Sequence, residues 1–195
     1  GTGPLFAAMK RNAVDGILAG GLAILERTDN LVAGALPLYS VNSDTAASVF
    51  LECLSGSAGA LLDVESMRLL TEPIASHGTC PIPLHALRPY LHELGRRLEN
   101  HVRSVDGCMV AMGTTVTGLR QLAEGGWAVE IEGALAPTLA GKVVLATGAS
   151  PKASVLRKRQ GQLTFAGPLV CTSDELLRGR VDADIASKLT ASPHI

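Results

Sequence analysis

Aromatic residues are scarce: one tryptophan, two tyrosines and three phenylalanines in 195 residues. A single-stranded nucleic-acid surface needs stacking rings along a basic groove, and this composition does not furnish one. No run of one charge sign reaches five residues, the formal net charge is -1, and the most basic stretch is Arg157-Lys158-Arg159 with no aromatic residue close by. Nucleic acid is therefore not an expected partner. Long apolar runs are also missing. The most hydrophobic stretch near the start is broken by Asp15, Gly20 and Gly21, so no membrane span is expected. The first residues, Gly-Thr-Gly, carry no basic leader, so no secretory signal is expected.

The four cysteines, Cys53, Cys80, Cys108 and Cys171, form no C-x-x-C pair. That spacing argues against a redox dithiol and a zinc cluster. All four are expected to be small buried hydrophobes, in a chain that works in the reducing cytoplasm. The histidines His77, His85, His92 and His101 have no carboxylate pair to complete a ligand set. Surface or cap positions are expected for them, and no metal. Ser40, Ser43 and Asp44 lack a nucleophile elbow. Ser55 to Gly59 lacks the Lys-Ser/Thr ending of a phosphate-binding loop.

What is present is an aliphatic core. Hydrophobic residues make up 47% and charged residues 18%, enough for one domain or one large domain with an insertion. Residues 4 to 16 read as a helix opened by Pro4, and Leu22 to Leu25 as a buried parallel strand closed by Glu26. Residues 31 to 43 are loop-like. Thr45 to Leu54 reads as a helix capped by Asp44, and 60 to 71 as another. His77 to Pro83 is rich in turn residues. The clearest helix is Leu84 to His101, where Leu84, Leu87, Leu91, Leu94 and Leu98 recur at three- and four-residue steps. The period then shortens. Cys108 to Met112, Thr114 to Leu122 and Trp127 to Glu132 read as a small antiparallel set, with Glu124-Gly125-Gly126 as a hairpin turn. Lys142 to Ala146 reads as a last apolar strand ending at Thr147-Gly148. A short helix is expected over Ser173 to Arg178.

Two features carry chemistry. Gly1-Thr2-Gly3 opens the first helix, where a tight turn and unpaired N–H groups favour a pyrophosphate. Glu26 closes the next strand about 20 residues later, the position at which a carboxylate accepts both hydroxyls of a ribose. A carboxylate there repels a 2′-phosphate, which favours FAD or NAD over NADP. The third glycine of the fingerprint would fall at position 6, where the chain has Phe6.

With the segment Lys142-Val-Val-Leu-Ala-Thr-Gly-Ala-Ser-Pro151, the chain resembles FAD-dependent oxidoreductases of the glutathione-reductase-like superfamily. Within that superfamily it is similar to the flavin monooxygenase-like group, which includes amine N-hydroxylases. The resemblance covers nearly the whole chain. It implies a Rossmann-like α/β fold of three layers with a small antiparallel sheet. The FAD-binding domain would span residues 1–150, with a helical insertion over about 44–101 and the hairpin over about 108–133. Residues 151–195 would connect to an NAD(P)H domain lying outside this chain. The strand expected before Gly1 also lies outside the sequence.

The resemblance places Gly1, Thr2, Gly3, Pro4, Leu5, Glu26, Arg27, Gly34, Ser43, Val116, Ala146, Thr147 and Gly148 against the cofactor. Ser43 would sit near the isoalloxazine edge and Val116 beside the adenine. Hydride from NAD(P)H would come through the other domain or a partner chain. No catalytic residue is implied. Phe6 favours one alternative, a non-catalytic structural or regulatory subunit that keeps the flavoprotein fold; a further alternative is an NAD-binding module without flavin.

Overall fold

The computed structural model describes residues 2–147 and Arg178. Pro4 occupies the first turn of α1 (Gly3–Lys10), where its missing N–H costs nothing. The helix expected over 4 to 16 stops early. Asn12 takes a left-handed conformation with φ 54°, which asparagine tolerates better than most residues. Ala13 N–H then closes the end on the Ala8 carbonyl at 2.9 Å. A second helix, α2 (Val14–Ala19), restarts at once and leads to β1 (Ala23–Leu25), the strand the apolar run predicts, although with one strand neighbour Ala23 is exposed and Ile24 and Leu25 are only half-buried.

The segment expected to be a helix from Thr45 is instead β2 (Asn42–Ala46) followed by a 3₁₀ helix over Ala47–Leu54. Tertiary partners explain the difference. Ala47 N–H donates to the Cys80 carbonyl and Ser48 N–H to the Gly78 carbonyl, both at 3.0 Å. The donors that Asp44 would cap are thus taken by the neighbouring turn, and the Asp44 carboxylate receives the Thr45 hydroxyl instead. That turn runs into β3 (Pro81–Pro83), which pairs antiparallel with β2.

Between them, the helix expected over 60 to 71 is divided. α3 (Ser57–Leu61) ends before Asp63, whose φ of 48° breaks the path. A 3₁₀ turn and α4 (Arg68–His77) follow. The leucine stripe forms as predicted. Leu84 and Leu87 lie on a 3₁₀ turn, and Leu91, Leu94 and Leu98 on α5 (Arg88–Arg103), and all five are buried. They join the main core with Phe6, Met9, Leu18, Leu62, Ile74 and Val110.

The strand within Cys108 to Met112, β4 (Met109–Ala111), does not join the antiparallel set. It pairs parallel with β1, in the register Ala23 to Met109, Ile24 to Val110 and Leu25 to Ala111. The antiparallel sheet is β5 (Val116–Gln121), β6 (Trp127–Ile131) and an unanticipated β7 (Thr138–Ala140), in sequence order. Its first turn is the predicted one. Gly125 and Gly126 have φ of 90° and 84°, values that glycine adopts freely.

Lys142 to Ala146 is not a strand. No described strand offers it a ladder, and Val144 and Leu145 remain 73% and 70% exposed. The chain is thus a mixed α/β protein with small sheets and no closed barrel among its described residues. No described helix is long and apolar enough to cross a membrane. The helix expected over Ser173 to Arg178 and the connector 151–195 lie outside the described residues, Arg178 excepted.

Candidate functional site

The acidic strand end is built by β1 and β4 together. Parallel pairing continues past Leu25, because Glu26 N–H donates to the Ala111 carbonyl at 2.9 Å and Thr114 N–H donates to the Glu26 carbonyl at 2.9 Å. Gly113 N–H reaches the Thr28 carbonyl at 3.2 Å. Both backbone groups of Glu26 are therefore held by the 111–114 stretch, close to the start of β5. This places Glu26 near the chain entering Val116, itself exposed at the first position of that strand.

The Glu26 side chain is ordered by Thr28. The Thr28 N–H and its hydroxyl both donate to Oε1, at 2.7 and 2.8 Å. Two residues on, buried Asn30 fixes the loop. Its Oδ1 accepts from Val32 N–H and Ala33 N–H at 3.0 and 2.8 Å, and its Nδ2 donates to the His92 carbonyl of α5 at 3.1 Å. Thr28 and Asn30 were not anticipated as parts of the site. The Thr28-Asp29-Asn30 cluster directly after a strand was the available signal, since such side chains bond their own backbone in turns.

At the start of α1 the N–H groups of Leu5 and Phe6 both donate to the Thr2 carbonyl. The Thr2 and Gly3 N–H groups precede the helical ladder, the usual place for an anion. Gly3 and Pro4 are exposed, Thr2 and Leu5 half-buried. A Cβ built on Gly3 would meet nothing within 4 Å, so the turn is open to a ligand. Phe6, where the fingerprint has glycine, turns its ring into the core with 8% exposure. No protein-family model matches the chain, and neither does any curated protein or solved structure.

The other expected site residues are scattered. Arg27 is exposed beside Glu26. Gly34 is exposed with φ 51° in the loop that Asn30 caps. Ser43 is buried in β2 and its hydroxyl is used within the fold, donating to the Thr45 carbonyl at 2.6 Å and accepting from Ile82 N–H at 3.0 Å. Ala146 and Thr147 are exposed and lie in no strand, and Gly1 and Gly148 lie outside the described residues.

Elsewhere, polar clusters serve packing. A cleft of about 390 Å³ is lined by Leu61, Asp63, Arg96, Arg97, Asn100 and His101, among others. Its arginines are already paired: Arg97 bonds Asp63 in the cleft and Glu93 beside it, and Arg96 bonds the same Glu93. The Arg96 and Arg97 hydrogen bonds hold the Glu93 carboxyl down to about 2. Tyr90 donates to the Phe50 carbonyl at 2.8 Å and lies 3.5 Å from Cys53 Sγ. Burial raises both the thiol and the phenol above their ordinary values.

Cys53 and Cys108 are half-buried, whereas Cys80 is exposed, against the expectation of burial. Cys80 sits in the short turn between α4 and β3, where its carbonyl accepts from Ala47 N–H while its side chain is exposed. Cys171 lies outside the described residues. His77 and His85 are exposed, and among the described residues no three of His, Cys, Asp and Glu converge.

Proposed function

We propose that the chain is the FAD-binding portion of a flavin-dependent oxidoreductase, of the NAD(P)H-dependent monooxygenase kind, with a Rossmann-like fold and a place in the cytoplasm. The observation that carries the proposal is Glu26 at the carboxyl end of a strand in parallel pairing. Ligands of open parallel sheets gather at that end of the strands. An exposed helix start with early N–H groups belongs to the same chain segment, which suits a dinucleotide's pyrophosphate.

The residues present fit FAD in part. Thr2 and Gly3 would hold the pyrophosphate through backbone N–H groups. Glu26 would accept from the adenosine ribose, and the backbone near Val116 would meet the adenine. Ser43 has no free hydroxyl proton to offer an isoalloxazine. Bound FAD would supply the redox chemistry, the protein contributing binding and orientation. NAD(P)H would be taken by another domain or a partner chain, and the substrate is a small molecule.

Lys142 to Thr147 favours a second reading. In this reading the chain keeps the flavoprotein fold as a non-catalytic subunit, since a segment expected to line the cofactor lies exposed and outside the sheets.

One experiment separates the two. The purified chain is mixed with FAD, desalted, and its visible absorption recorded. The expected result is retained flavin that Glu26→Ala weakens. A folded, colourless protein after desalting would overturn FAD binding by this chain and leave the non-catalytic subunit.

A further inference from the structure

We infer that Thr28 is a positioning residue for the Glu26 carboxylate, anchored through Asn30 to α5. The inference rests on the proposal that Glu26 takes the adenosine ribose. Both donors of Thr28 converge on one oxygen, Oε1, at 2.7 and 2.8 Å, and Oε2 accepts from no described residue. A glutamate at a strand end has three side-chain torsions to lose on binding. Thr28 holds them before the ligand arrives, which lowers the ordering cost of binding. The carboxylate then presents Oε2, which no described residue engages, as an acceptor suited to a hydroxyl and repelling a phosphate.

The hold extends inward. The Thr28 hydroxyl also lies 3.1 Å from the Asn30 carbonyl oxygen, and Asn30 N–H lies 3.5 Å from Thr28 Oγ1. Asn30 is tied to α5 through the His92 carbonyl. With its single proton given to Oε1, Thr28 Oγ1 meets Asn30 only through the Asn30 N–H at 3.5 Å, so α5 fixes the loop that carries Thr28 by way of the Asn30 side chain.

The test compares ADP with 2′,3′-dideoxy-ADP by titration calorimetry on the full chain. The variants are Thr28→Val, Thr28→Ser and Glu26→Gln. Thr28→Val keeps the shape and the backbone N–H but removes the hydroxyl. It is expected to weaken ADP about fivefold, the size of one side-chain hydrogen bond. Dideoxy-ADP, which has no ribose hydroxyls to offer Glu26, should bind all variants alike, and Thr28→Ser should restore ADP affinity.

Equal ADP affinity in Thr28→Val and the unaltered chain, with Glu26→Gln weakened, would overturn the role of Thr28 and leave the ribose site standing. Equal weakening of both nucleotides by Thr28→Val would overturn it too, as general damage to the loop. No ADP binding by the unaltered chain, or none lost in Glu26→Gln, would overturn the ribose site itself and the positioning role with it.

Discussion

The Asn30 side chain fills the space where a Cβ on Gly95 would stand: that atom would lie 2.6 Å from Oδ1 and 2.7 Å from Nδ2. Gly95 is buried in the middle of α5, and the amide pressed against it makes three hydrogen bonds. The loop after β1 can therefore reach α5 only because this helical position has no side chain.

Gly95→Ala tests that relationship through its sign. On an open helix face the change would stabilise by about 1 kcal/mol. Here the amide cannot swing away without losing its partners, so a loss of about 1–3 kcal/mol is expected in denaturant unfolding. In an Asn30→Ala background the same change should cost nothing or stabilise, a non-additivity that marks direct contact.

Ser43 separates a structural hydroxyl from a cofactor-facing one. Ser43→Ala leaves the buried Ile82 N–H without its acceptor. Stability should fall by about 1–3 kcal/mol, with FAD affinity changed less than about twofold, well under one hydrogen bond's worth. A large drop in flavin binding at unchanged stability would place Ser43 at the cofactor after all.

Glu93 links the fold to acid. Its carboxyl titrates at about 2 against an ordinary 4.5, first because Arg96 bonds it. A depressed carboxyl contributes stability above its unfolded value, and that contribution is lost as pH falls from about 4.5 through 2. Arg96 is 57% exposed, so solvent screens the pair and its share should stay below about 1 kcal/mol. Carboxyl NMR titration should show Glu93 moving up toward its ordinary value in Arg96→Gln, and the acid limb of the unfolding curve should flatten.

Much of the architecture was legible where local pattern and tertiary demand agree. The leucine stripe of α5 needed only its spacing, since a 3.6-residue period buries one face whatever that face meets. The hairpin needed only Gly125-Gly126 between alternating runs. The Glu26 position was legible as an acidic residue closing an apolar run. Its partner Thr28 was not singled out, because a turn residue bonding a carboxylate two positions back leaves no periodicity.

The sequence by itself determined the aliphatic core, β1, α5 and the β5–β6 hairpin, all of which follow from short-range periodicity and turn chemistry. Tertiary structure alone decided that β4 pairs parallel with β1, that Thr45 and Ala46 are extended rather than helical, and that Lys142 to Ala146 forms no strand. The physical reason is the same in each case. A strand is completed by hydrogen bonds to residues far along the chain. Ala111 and the Gly78 to Cys80 turn supply such partners to Glu26 and to the end of β2, whereas no described residue supplies a ladder to Val144 and Leu145.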